Sequence, residues 1–229
     1  MLLAAFETAT RRLSVALWQD GAVIEKSDFL PNGGSEVVLP WLHELLAAAG
    51  LGLRQLDGIA FGAGPGSFTG LRLACGVTQG LACGLDLPVV PVSTLAALAL
   101  AAGDGKVWTL LDARMNEVYG AAYAVRGETV SELMAPCCAA PAVLPAPTFC
   151  GGIAAGDGFA AHGEILRQRK PDLERVAADL LPTAAAVARL AAPLLARGAG
   201  QPAAAAQPVY VRDKVAFTTA ERLARGGVR

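Results

Sequence analysis

The chain has 229 residues, enough for one large domain or two lobes with separate cores. Its formal net charge of −1 leaves no basic footprint for independent nucleic-acid binding, and charged residues, at 17%, fall below the roughly 25% of an ordinary soluble domain. The hydrophobic fraction is 54%, much of it alanine, and no apolar run approaches the roughly 20 residues of a membrane-spanning helix; small-residue packing and a partner-covered apolar patch are expected instead. The opening Met1–Glu7 carries no basic segment and soon meets an acid, so a cytoplasmic protein without a signal peptide is expected. Leu2–Phe6 and Ser14–Trp18 read as strands around the turn Glu7–Arg12. Asp20-Gly21 is a hairpin signal before a third strand, Ala22–Phe29. A loop over Pro31-Asn32-Gly33-Gly34 precedes Ser35, a predicted N-cap. Val38, Leu42, Leu45 and Leu46 then recur at helical spacing up to Gly50, a suitable C′ glycine.

The next unit is strand, glycine turn, helix, strand. Leu56–Phe61 is a buried strand. Gly62-Ala63-Gly64-Pro65-Gly66 forces a turn, because glycine reaches positive φ without steric cost and proline fixes its own φ. Ser67 or Thr69 caps a helix to about Leu85, Asp86-Leu87-Pro88 stops it, and Val89-Val90 starts a strand parallel to the first. No Gly-Lys-Ser/Thr follows the glycines, so a P-loop is excluded, and a bare glycine turn does not specify a nucleotide. Gly76, Gly80 and Gly84 form one stripe along the helix, each costing up to about 1 kcal/mol relative to alanine. Another backbone should lie close against them, either the protein's own sheet or a helix of a second chain.

Ser93–Ala102 is a capped, alanine-rich helix, and Gly103-Asp104-Gly105 marks a boundary that gives lobes 1–104 and 105–229. The second lobe opens as the first does. Val107–Leu111 and Glu117–Val125 are strands around the turn Asp112–Asn116, with a third near Thr129–Met134. A proline-punctuated connection, Pro136–Pro147, leads to a strand over Phe149–Ile153, a Gly156-Asp157-Gly158 turn and a helix from Phe159 to Arg169. Thr183–Ala196 is a further helix, Gly198–Ala206 a flexible loop, and Val209–Arg212 a short edge strand or docked segment. The closing residues read as a tail or short helix. The five cysteines, Cys75, Cys83, Cys137, Cys138 and Cys150, follow no zinc or redox spacing, and the first two sit in the apolar helix as small hydrophobes. His43 and His162 are far apart, neither with a partner one turn away.

Gly62-Ala63-Gly64-Pro65-Gly66-Ser67-Phe68-Thr69-Gly70-Leu71-Arg72 resembles the hallmark of the TsaB (YeaZ) family. Glu7-Thr8-Ala9-Thr10 with Ser14–Leu17, Asp112–Tyr119 and Pro208–Ala216 match the same family in order, so the resemblance spans essentially the whole chain. It implies an α/β, two-lobed actin/hexokinase-like fold, each lobe a mixed sheet flanked by helices. It also implies a non-catalytic subunit of the complex that transfers threonylcarbamoyl to N6 of the adenosine beside the anticodon. TsaD, the catalytic paralogue, and the ATPase TsaE are the implied partners, with a homodimer when the chain is alone. ATP or ADP and metal are expected on those partners, no cofactor on this chain, and tRNA only through the complex.

The residues agree with an accessory role. The paralogue binds metal through an H-x-x-x-H pair on a helix, whereas the matching helix Ser35–Gly50 holds His43 alone. Where the family usually has Asp-Thr, this chain has Glu7-Thr8, which moves the carboxylate by a methylene. Glu7, Thr8, Gly64, Gly66 and Asp112 remain a candidate nucleotide or anion loop, with Asp112 and Arg114 either a turn-stabilising ion pair or a ligand contact. Tyr210, Arg212 and Lys214 either meet a partner or tRNA or belong to a packed C-terminal segment. The partner face is expected on the helices Ser35–Gly50 and Ser67–Leu85, through Ser35, Leu39, Leu42, Leu46, Phe68, Leu71, Arg72, Gly76, Gly80 and Gly84. The competing readings are an autonomous ATPase or sugar kinase of the same fold and a metallopeptidase.

Overall fold

The computed structural model describes residues 1–30 and 34–212. Pro31, Asn32 and Gly33, Lys214 and the rest of the closing motif, and the tail lie outside the described residues. The described residues build two five-stranded mixed sheets with the same plan. The first has the order β3-β2-β1-β4-β5, formed by β1 (Leu2–Glu7), β2 (Arg12–Gln19), β3 (Ala22–Phe29), β4 (Gly58–Gly64) and β5 (Val89–Ser93). The second has the order β10-β9-β6-β7-β8, formed by β6 (Gly105–Arg114), β7 (Glu117–Arg126), β8 (Thr129–Ala139), β9 (Ile153–Ala155) and β10 (Arg175–Ala177). Each opening hairpin pair is antiparallel, and each first strand pairs in parallel with the fourth. The fold is therefore a duplicated unit, as the two similar strand openings predict.

Among the described residues five α-helices cover the sheets: α1 (Val38–Ala48), α2 (Phe68–Leu85), α3 (Thr94–Ala102), α4 (Asp157–Arg169) and α5 (Ala184–Ala196). β1 is buried on both faces, which is why it reads as an unbroken apolar run. Leu2, Ala4 and Phe6 point to α1 and α2, while Leu3 and Ala5 pack on α5. In the second sheet Val107 and Leu111 pack on α3, while Trp108 and Leu110 pack on the α4 side. The last helix of each half thus covers the sheet of the other half: α3 lies on β6, β7 and β8, and α5 on β1, β2 and β4. The strands of the two sheets part between Ser93 and Gly105 in the chain, whereas the helices do not follow chain order, because burial follows the exchanged apolar faces.

Local chemistry explains most element ends. Gly50, at φ +69°, closes α1 with paired bonds from Gly50 N to Ala47 O (3.0 Å) and Leu51 N to Leu46 O (2.9 Å). Ser93 and Thr183 cap α3 and α5 by accepting from Ala96 N and Ala186 N. Asp86 ends α2 in the left-handed region. Ser35 does not cap α1: it sits in a 3-10 turn, Gly34–Glu36, and Val37 holds the cap position with no side-chain bond. β8 runs past Pro136 to Ala139, which an edge strand tolerates because its outer N–H groups need no partner. The expected strand at Phe149–Ile153 begins only at Ile153, and Arg175–Ala177 is a strand that periodicity does not announce. Gly198–Ala206 is no flexible loop: Gln201 and Val89 exchange two backbone bonds of 2.8 Å, and Gln79 Nε2 donates to Ala206 O. Cys75 is buried, but Cys83 is exposed and does not act as a core residue.

Candidate functional site

β4 delivers the glycine loop to the start of α2, and the turn after β1 lies directly against it. A Cβ on Gly66 would come within 2.7 Å of Ala9 O, and one on Gly70 within 1.9 Å of Thr8 O. Two bonds seal this contact: Ser67 N donates to Ala9 O (2.7 Å) and Thr8 Oγ1 to Gly70 O (2.7 Å). The glycines let two backbones touch, and the chain's own carbonyl takes up the Ser67 amide. Beneath the contact Glu7 is fully buried, its carboxylate against Gly62. Burial pushes its pKa up from 4.5 to about 7, partly offset by the bond its Oε1 accepts from Ala9 N (2.8 Å). Gly64, at φ +120°, is pressed by Val209 O, 2.6 Å from where its Cβ would stand.

Between the lobes lies a cleft of about 660 Å³. Thr8–Arg11, the first turn of α2, the β6–β7 turn, Asp157 and Val209–Arg212 form its walls. Of the candidate anion loop, Thr8, Gly66 and Asp112 face this space, whereas Glu7 and Gly64 lie behind its wall. Asp112 accepts Arg114 N (2.8 Å) and pairs with the Arg114 guanidinium (3.0 Å), so these two residues form the turn-stabilising pair. Asp157, at the start of α4, accepts Asp112 N (3.0 Å), and its pKa is raised chiefly by burial. Sequence reading passes over Asp157 because it sits in a plain glycine turn; matching α4 to α2 across the duplication would have pointed to it. His43 lies exposed on α1, and His162 marks a kink in α4. Among the described residues no three His, Cys, Asp or Glu side chains gather where they could hold a metal ion.

The other feature is the outer face of α2. Leu71, Ala74, Cys75, Thr78 and Ala82 turn toward the sheet. Gly76, Gly80 and Gly84 lie on the opposite side, exposed, with nothing within 4 Å of an added Cβ. Packing against the protein's own sheet is therefore not what offsets their helix cost. A shallow groove of about 440 Å³ takes in Gly76 and Gly80 of this stripe together with Ser35, Leu39, Arg72, Leu73, Val77 and Leu81. Leu42, Leu46 and Leu71, at most 2% exposed, are buried and not surface contacts: the first two seal α1 onto the first sheet, and Leu71 packs beside Gly64 at the back of the cleft. At the helix start Phe68 is exposed, with the Arg72 guanidinium 3.9 Å from its ring centre and Tyr210 stacked at 5.6 Å. One result follows from the open stripe. Gly84→Ala should raise the stability of the isolated chain by up to about 1 kcal/mol, readable as a higher urea midpoint at unchanged slope.

Two equal sheets with exchanged helices, facing each other across a cleft between matching hairpin turns, define a two-lobed α/β protein of the actin–hexokinase class. A family model described as TsaD, tRNA N6-adenosine threonylcarbamoyltransferase, matches residues 34–220. The tRNA threonylcarbamoyladenosine biosynthesis protein TsaB of Escherichia coli is 34% identical over 95% of this chain and 97% of its own. The solved YeaZ of Pseudomonas aeruginosa superposes with a TM-score of 0.84 at 37% identity, covering 91% of this chain and 99% of its own. The chain belongs to the TsaB (YeaZ) family.

Proposed function

We propose that this chain is the non-catalytic subunit of the cytoplasmic complex that places threonylcarbamoyl on N6 of the adenosine beside the anticodon, in tRNAs reading codons that begin with A. The observation that carries this reading is the open glycine face of α2 beside Leu39, on which a second helix could lie backbone to backbone. TsaD is the partner for that face and TsaE joins the pair. ATP or ADP and metal belong to the partners, and tRNA is reached through the assembly. A homodimer through the same face forms when the chain is alone.

Gly80→Leu fills the groove with a side chain that an exposed helix position accepts without loss of folding. In size-exclusion chromatography with TsaD the variant should elute apart while its circular dichroism stays native; undisturbed co-elution would remove this face from the proposal. Reconstitution on an anticodon-stem substrate gives the functional arm. Threonylcarbamoyl transfer should be lost when this chain is omitted, and transfer at full rate without it would overturn the accessory role. Tight Mg-ATP binding by the isolated chain in calorimetry would favour an autonomous ATPase instead.

A further inference from the structure

The described chain ends in four residues that grip the two lobes in turn. Val209 N donates to Ala63 O at the end of β4 (2.7 Å), with its own carbonyl pressed on Gly64. Tyr210 stacks on Phe68, and its hydroxyl lies 3.4 Å from Arg72 Nε. These two hold the first lobe. Val211 packs against the core of the second sheet. Arg212 then places Nη2 2.9 Å from Ala113 O and 2.6 Å from Glu117 Oε2, with its side chain only 14% exposed. A charged group this withdrawn from water is held firmly only while its partners stay in place.

Arg212 grips a demanding piece of backbone. Arg114, Met115 and Asn116 all have positive φ, between 55° and 60°, and for Arg114 and Met115 the left-handed conformation costs roughly 1–2 kcal/mol each. The Arg212 guanidinium reaches the carbonyl at the mouth of this turn and the carboxylate at its exit. The same four residues form one wall of the cleft. In a two-lobed protein a contact of this kind restricts hinge motion, because opening must break it on one side.

We propose that Val209–Arg212 is a strap that locks the lobes in one relative orientation, with Arg212 as its latch on the second lobe. Through Tyr210 the strap touches Phe68 and Arg72 of α2, and Arg72 also lines the glycine groove. Native thiols report on it. Cys83 on α2 and Cys150 before β9 are exposed, whereas burial raises the pKa of Cys75, Cys137 and Cys138 and slows their reaction. Brief spin labelling at neutral pH, followed by dilution into unlabelled chain, gives the Cys83–Cys150 distance distribution within one molecule. The native chain should give a single narrow distribution, and Arg212→Ala one that is broadened or shifted by several ångströms at native circular dichroism. Glu117→Gln, which removes only the carboxylate charge, should give a smaller change in the same direction, and it decides the matter if Arg212→Ala fails to fold. A narrow, unshifted distribution in the folded variants would overturn the strap.

Discussion

Gly70→Ala should destabilise the protein by about 3 kcal/mol, near the upper end of ordinary overpacking costs. At a helical position the same change normally stabilises by up to about 1 kcal/mol, so the expected sign is reversed. The reason is the neighbour: the new Cβ would stand 1.9 Å from Thr8 O and 2.9 Å from Thr8 C. Those atoms are backbone, and Thr8 cannot retreat cheaply. Its side chain is bonded to Gly70 O, and the next amide is bonded to buried Glu7. For a chain of this size the loss corresponds to a Tm lower by roughly 10 °C in a calorimetric scan. A Tm at or above that of the parent would mean that the two backbones do not touch as described. Gly84→Ala, with open space around it, is the matched control and should move the other way.

Stability should also fall as pH rises from 4.5 to about 7, and Glu7→Gln should remove that dependence. Glu7 is fully buried, and its Oε2 has no hydrogen-bond partner among the described residues. The folded state therefore holds the proton until about pH 7, while an unfolded glutamate releases it near 4.5. Below the lower value both states are protonated and nothing is lost. Between the two values only the unfolded state ionises, which favours unfolding; above about pH 7 both are ionised and the curve is level. The loss is about 3 kcal/mol, from the separation of the two values at about 1.4 kcal/mol per unit. Urea titrations from pH 4 to 8 on parent and variant read it as a difference that grows with pH and then stops growing. Parallel pH profiles would show that Glu7 ionises at the same pH in the folded and the unfolded protein.

How far each feature could be read depends on how local its cause is. The span of α2 could be anticipated to within a residue, since Pro65-Gly66 and Asp86-Leu87-Pro88 bound it in sequence, although the expected turn at Gly62–Gly64 proves to be the end of β4. Gly50 could be assigned to a helix end for the same reason. The doubled strand opening was visible in Leu2–Phe29 and Val107–Met134, because alternation and turn residues recur there. Short β10 was invisible: three residues carry no period, and only pairing with β9 makes them a strand. The glycine stripe on α2 was plain from its spacing, but its direction was not. Leu71, Leu42 and Leu46 looked as available for contact as Leu39, and burial against the first sheet for Leu42 and Leu46, and beside Gly64 for Leu71, decided otherwise.

The amino-acid sequence by itself determined where most of the helices, strands and turns lie, the repeated plan of the two halves and the family. These follow from periodicity, proline, positive-φ glycines and motif order, all properties of neighbouring residues. Tertiary structure alone decided that α3 and α5 exchange sheets, that Gly66 and Gly70 receive the chain's own backbone, that the α2 glycines face outward, and that Val209–Arg212 spans the cleft. Each depends on which distant surface an element meets, and burial and close approach are set by those meetings rather than by any local stretch of chain.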